Sequence, residues 1–117
     1  MSGLVSYRAG LAAEDAVARH YSDGGKVLAA QRWRGSAGEI DLILRDGPSI
    51  VFVEVKKAAT HAEAALRVTS RQIARIFSAA SEFLAGEPMG QATESRFDVA
   101  LVDSYGRIEV LENAHMA

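Results

Sequence analysis

The sequence predicts an α/β (α+β) domain, a mixed central sheet flanked by helices in the order αβββαββ. Three observations point there. Apolar residues recur at helical spacing near the N-terminus and again after residue 70. Between them lie short runs rich in Val, Ile and Leu, bounded by Gly and Pro as strands are. The turns joining the first three runs are short, which favours antiparallel neighbours. The helix that follows is long enough to return the chain to a parallel fourth strand.

The first helix is expected over 6–21, with Leu11, Ala12, Ala16, Val17 and Tyr21 as its apolar stripe. Asp23-Gly24-Gly25 stops it, glycine being suited to the left-handed position after a helix. Glu14 falls mid-helix, and periodicity alone gives it a solvated face. Residues 26–34 read as the first strand. Alternation places Arg32 and Arg34 on one side and Trp33 on the other. That suits either a phosphate clamp or two solvated arginines flanking a core tryptophan. Gly35-Ser36-Ala37-Gly38 is a turn into the second strand.

The second and third strands carry the densest chemistry. Gly38-Glu39-Ile40-Asp41-Leu42-Ile43-Leu44 and Val51-Phe52-Val53-Glu54-Val55-Lys56 read as a hairpin turning at Asp46-Gly47-Pro48. Centred on Asp46 and Gly47, the pairing sets Glu39 opposite Glu54 and Asp41 opposite Phe52, with Asp41 diagonal to Glu54. One face then holds Glu39, Asp41, Phe52, Glu54 and Lys56. The other holds Ile40, Leu42, Leu44, Val51, Val53 and Val55. An ionised carboxylate is costly to bury unless it is paired or binds a metal. Two carboxylates at the diagonal spacing of about 7–8 Å can lean toward one cation. Mg²⁺ suits one or two carboxylates together with substrate phosphate oxygens. Lys56, on the same face, can stabilise an anionic transition state. Without a cation, the same residues would make a solvated acidic face with a stray lysine.

Beyond Lys56, Thr69-Ser70-Arg71-Gln72 resembles a capping box, and regular helix is expected from there to near Gly86, with an earlier turn from Thr60. Its buried stripe is Ile73, Ile76, Phe77, Ala80, Phe83 and Leu84. Arg71 and Arg75 lie one turn apart on another face and could meet phosphates or simply be solvated. His61 is a lone loop histidine, a type more often solvated than ligating. Residues 87–94 form a loop and 96–102 a strand. Asp98 near that strand's start either supports the site or pairs with Arg96. A turn at 103–106 leads to a short last strand with Ile108, Val110 and Leu111, and His115-Met116-Ala117 reads as a loose tail.

At 117 residues the chain is expected to be one domain, 1–117. It has no cysteine, which removes disulfides and thiolate metal sites. No run approaches the length of a membrane-spanning helix, and residues 1–9 lack the apolar core of a signal peptide, so a cytoplasmic location is expected. The net charge of −2 does not advertise a nucleic-acid binder, so any such surface must be a local basic patch.

Gly38-Glu39-Ile40-Asp41-Leu42-Ile43 followed by Val51-Phe52-Val53-Glu54-Val55-Lys56 closely resembles the YraN family of small bacterial proteins. That family is assigned to the PD-(D/E)XK nuclease superfamily, alongside Holliday-junction resolvases. The resemblance implies a restriction-endonuclease-like fold and a metal-dependent endonuclease acting on DNA, ahead of RNA, at branched or flapped structures. It implies Asp41, Glu54 and Lys56 as catalytic residues and Mg²⁺ or Mn²⁺ held by Asp41 and Glu54. Gly10-Leu11-Ala12-Ala13-Glu14 matches the family's Gly-x-x-(small)-Glu, which adds Glu14 to the metal set. Arg34, Arg32, Lys57, Arg71 and Arg75 are the expected nucleic-acid contacts, and a homodimer is allowed. The chain departs from the family pattern in three places. Arg32 stands where Asn is usual, Lys57 begins a shorter loop without the usual Arg, and Gln72 replaces Lys. The competing reading is a non-catalytic module that keeps the nuclease fold and binds nucleic acid or protein.

Overall fold

A computed structural model describes residues 3–114, with side chains from Ala9 onward; the expected tail at 115–117 lies outside the described residues. Helix α1 (Gly3–Asp23) leads into strands β1 (Val27–Arg34), β2 (Glu39–Asp46) and β3 (Ser49–Lys57). Two helices follow, α2 (His61–Leu66) and α3 (Ser70–Leu84). A single 3-10 turn (Gly90–Ala92) then leads to β4 (Ser95–Val102) and β5 (Ile108–Leu111). The sheet order is β1-β2-β3-β4-β5, antiparallel except for the parallel β3–β4 pair. This is the mixed α+β sheet flanked by helices that the sequence predicts, with one short helix more. Among the described residues, no helix is long and apolar enough to cross a membrane.

The extra helix follows from capping chemistry. Thr60 Oγ1 accepts the Glu63 N–H at 3.1 Å and starts α2, while Thr69 Oγ1 accepts the Gln72 N–H at 3.1 Å and starts α3. Two caps nine positions apart make two helices out of one apolar stretch.

Three layers result. On one side of the sheet, α1 packs Ala13, Val17 and Tyr21 against Leu42, Leu44, Val51 and Val53. On the other, α2 and α3 pack Ala64, Ile73, Ile76, Ala79 and Leu84 against Ile43, Ile50, Phe52, Phe97 and Val99. β3 is therefore buried on both faces, as central strands with helices on each side are. The predicted helix stripes are largely in the core, Val17 and Tyr21 in α1 and Ile73, Ile76, Ala80 and Leu84 in α3, with one departure in each helix. In α1 Ala12 is exposed and Ala13 buried. In α3 Ala79 takes the core place of Phe77, whose ring is 44% exposed and lies edge-on to Phe97.

The hairpin register also differs from expectation. Asp46 pairs with Ser49, Ile43 with Phe52, and Leu42 with Val53. The loop is therefore the two residues Gly47-Pro48, and Gly47 has φ of +60°, as the first residue of a two-residue II′ loop requires. Compared with the predicted pairing the strands slide by two residues, which leaves each side chain on its face. Alternation itself fails at one point. Ile40 joins Ile43 and Phe52 on the α3 side, away from Leu42. The break falls at Asp41, and the neighbouring strand is irregular there too, with Arg32 at φ of +53° between the Gln31–Leu42 and Trp33–Ile40 pairs.

Asp98 is fully buried and ties three parts of the chain together. Its carboxylate accepts from Tyr21 Oη at 2.8 Å, from the Asn113 N–H at 2.9 Å and from Arg96 Nε and Nη2 at 3.1 and 3.2 Å. Of the two readings open from sequence, the pairing with Arg96 is the one present, within a larger knot. Removing it would strand a phenol, an amide and a guanidinium. Asp98→Ala is expected to cost about 3–5 kcal/mol in denaturant melts, the scale of breaking a buried pair. A loss under about 1 kcal/mol would mean that water can replace the carboxylate.

Candidate active site

The β2–β3 ladder ends at Leu42–Val53, and polar groups take over from there. Asp41 Oδ2 accepts the Val55 N–H at 2.8 Å, so an acid side chain occupies the place of the next strand bond. Continuing the register would set Asp41 opposite Glu54, and the Glu54 carboxyl is near enough to raise the Asp41 carboxyl. Sequence reasoning placed the two acids diagonally; the two-residue slide brings them face to face. Glu54 is buried, and Lys56 Nζ lies 3.2 Å from its Oε2. Asp41, Glu54 and Lys56 are thus brought together at one end of the central strands.

Burial is the main force on Asp41. It raises the carboxyl from its ordinary 3.8 to about 8, with the hydrogen bond and charge of Glu54 pushing the same way and the Val55 amide and Lys56 opposing. At neutral pH Asp41 therefore keeps its proton.

Glu14 approaches from α1. Periodicity gave it a wet face, yet it is buried, because it sits three and seven residues before Val17 and Tyr21 in the same stripe. That spacing was visible in the sequence and is the signal that could have found it. Burial raises its carboxyl, Arg32 opposes, and the charge of Asp41 adds to the rise. Arg32 Nε and Nη2 meet its two oxygens at 3.0 and 3.3 Å. Glu14 is turned to this guanidinium, and among the described residues no three acids converge as a ready metal cage.

The expected phosphate contacts are spread around this cluster. Arg34 is 80% exposed with its guanidinium 3.1 Å from Glu39, while Arg32 is turned to Glu14. Lys57 and Arg71 are exposed. Arg75 lines a cleft of about 220 Å³ together with Gly38, Glu39, Glu54, Gln72 and Ile76. The Gly35–Gly38 turn borders the cleft, anchored by Ser36 N and Oγ on Glu82 Oε2 at 2.8 and 3.0 Å. A Cβ at Gly35 would come within 2.6 Å of that oxygen, so the anchored turn needs glycine. His61 is engaged with other groups than Asp41 and Glu54, its Nε2 lying 2.8 Å from the Arg107 carbonyl and its Nδ1 3.2 Å from Glu109. Sequence reasoning did not foresee Gln72 beside the site, because its approach depends on how α3 packs over β3.

A pH dependence follows. Between roughly pH 4 and pH 8 the folded chain holds a proton on Asp41 that the unfolded chain has released. Stability without metal should therefore fall as pH rises through this window and level off above it. An Asn at position 41 imitates the protonated acid, able to accept from Val55 and donate to Glu54. Asp41→Asn in EDTA should accordingly flatten this fall and be neutral or stabilising at pH 8, read by denaturant melts. A loss of roughly 3–5 kcal/mol would instead mark Asp41 as half of a structural ion pair.

The family model that matches this chain is described as Uncharacterised protein family UPF0102, over residues 13–102. That span holds Glu14, the hairpin, α3 and β4. A UPF0102 protein of Cereibacter sphaeroides is 63% identical over 117 residues, covering all of both chains. A UPF0102 protein of Roseobacter denitrificans is 53% identical over 113 residues, 97% of this chain and 88% of that protein. One of Ruegeria pomeroyi is 54% identical over 112 residues, 96% of this chain and 91% of that protein. The acid-lined cleft between β2, β3 and α3 therefore belongs to a member of the UPF0102 family.

Proposed function

We propose that this chain is a divalent-metal-dependent nuclease of the PD-(D/E)XK type, YraN-like in sequence, that hydrolyses phosphodiester bonds in branched or flapped DNA. The observation that carries the reading is the contact between the Asp41 and Glu54 carboxyls, with the Lys56 ammonium against Glu54. Two acids pressed together inside a fold are unfavourable unless something positive joins them. Their hard oxygens fit Mg²⁺ or Mn²⁺, which keep open positions for water and phosphate. Such an ion would supply an activated water and neutralise phosphate charge.

The chain's own groups have separable roles. Asp41 and Glu54 would hold the ion, and Glu14, which feels the charge of Asp41, would add a third carboxylate on leaving Arg32. Lys56 donates to the scissile phosphate as negative charge develops there. Arg75 at the cleft and Arg34, Lys57 and Arg71 around it meet flanking phosphates, which position a nucleic acid without reading its sequence. One observation favours the binding-module alternative. Lys56 and Arg32 both rest on acids, so two of the chain's cations are neutralised internally.

A panel of labelled DNA structures, incubated with Mg²⁺ or Mn²⁺, tests the reading directly. Mn²⁺ should raise the Tm of the wild type, because a ligand of the native state alone stabilises it. Asp41→Asn should abolish that rise; an equal rise in the variant refutes the metal assignment. Lys56→Met should fold, keep the rise and lose about 10²–10³ in cleavage rate. A folded variant that cuts at the wild-type rate removes Lys56 from the chemistry. No metal response and no cleavage of any substrate would leave the binding module as the function.

A further inference from the structure

The geometry points to Gln72 as a positioning residue that fixes the Lys56 ammonium at the cleft, an inference that rests on the nuclease reading above. Gln72 is the third residue of α3 and lines the cleft beside Glu54. Its amide sits between two groups of opposite need. With the oxygen toward β3, Oε1 accepts from Lys56 Nζ at 2.7 Å and Nε2 donates to the Arg67 carbonyl at 3.0 Å. The reverse orientation would press an amide N–H₂ on an ammonium, donor against donor, for a 3.3 Å bond from the Thr69 N–H. A charge-assisted bond is roughly twice as strong as a neutral one, so the first orientation prevails.

Lys56 then has acceptors on two separate elements, Glu54 on β3 at 3.2 Å and Gln72 on α3. A lysine head on a flexible stem otherwise samples many positions. Two anchors confine it, and Gln72 is itself fixed through Arg67, the residue that caps the C-terminal end of α2. An amide suits this role better than an acid. It accepts from the ammonium without adding negative charge where an anionic backbone must approach.

Residue-resolved acylation of lysines with acetic anhydride, read by mass spectrometry, tests the contact without needing activity. Exposed Lys57 serves as the internal reference. Gln72→Leu should raise Lys56 labelling relative to Lys57 several-fold, while Gln72→Glu, which keeps an acceptor, should leave the ratio near wild type. In cleavage assays Gln72→Leu should lower kcat about tenfold to a hundredfold, the scale of one hydrogen bond to a charged group, with DNA affinity unchanged. In a Lys56→Met background the same change should add nothing, because its effect runs through Lys56. An unchanged ratio, a rise in both Gln72 variants or an additive loss of rate overturns the inference. A residue that merely caps α3 would lower Tm and leave the labelling alone, which also overturns it. If the wild type cuts no DNA, the nuclease reading falls by itself, and the labelling ratio still decides the role of Gln72.

Discussion

β3 has no face left for water along most of its length. Ile50 and Phe52 press on the α3 layer, Val51 and Val53 on the α1 layer, and β2 and β4 occupy both of its edges. A strand so enclosed admits polar groups only near its ends, and Glu54 and Lys56 fall there. The crossover through α2 and α3 and the position of the acids follow from keeping this strand dry on both faces, whereas the hairpin register is set by the Gly47-Pro48 turn.

At its C-terminal end the enclosure produces an electrostatic conflict. Asp41 leaves the alternation of β2 to take the Val55 amide and so meets Glu54 instead of water. A proton relieves the conflict at neutral pH. An apolar or neutral pair there would avoid the conflict, because two acids brought together in a fold disfavour each other's charge. The left-handed backbone of Arg32 beside this point belongs to the same region, and unusual dihedrals gather where function constrains a chain.

The other buried acids behave differently. Asp98 is saturated by Tyr21, Arg96 and the Asn113 amide. Asp103 accepts from the Tyr105 and Arg107 amides and from Arg107 Nε, which closes the turn before β5. In both cases each carboxylate oxygen accepts from at least one protein donor, which makes the carboxylate a structural joint. Asp41 and Glu54 spend part of their capacity on each other. That contrast separates the candidate site from the structural acids within one small fold.

The sequence by itself determined the element types, the mixed sheet and the face on which Glu54 and Lys56 lie. Those features depend on local periodicity, on capping by Thr60 and Thr69 and on turn residues such as Gly47, all of which act over a few positions. Tertiary structure alone decided the rest. Whether the hairpin loop is centred before or after Gly47 is a difference of one residue, too small for periodicity to resolve, yet it converts a diagonal pair of acids into a facing one. Glu14 carried the spacing of a buried stripe but the chemistry of a surface residue, and the neighbouring Arg32 and Gln31 make its burial tolerable. Phe77 carried the chemistry of a core residue but lies at the rim, while Ala79 is fully buried. Gln72 read from the sequence as part of a capping box and as a departure from the family's lysine; its contact with Lys56 stayed hidden, since that partner is on another element and distance in space is not written in spacing along the chain.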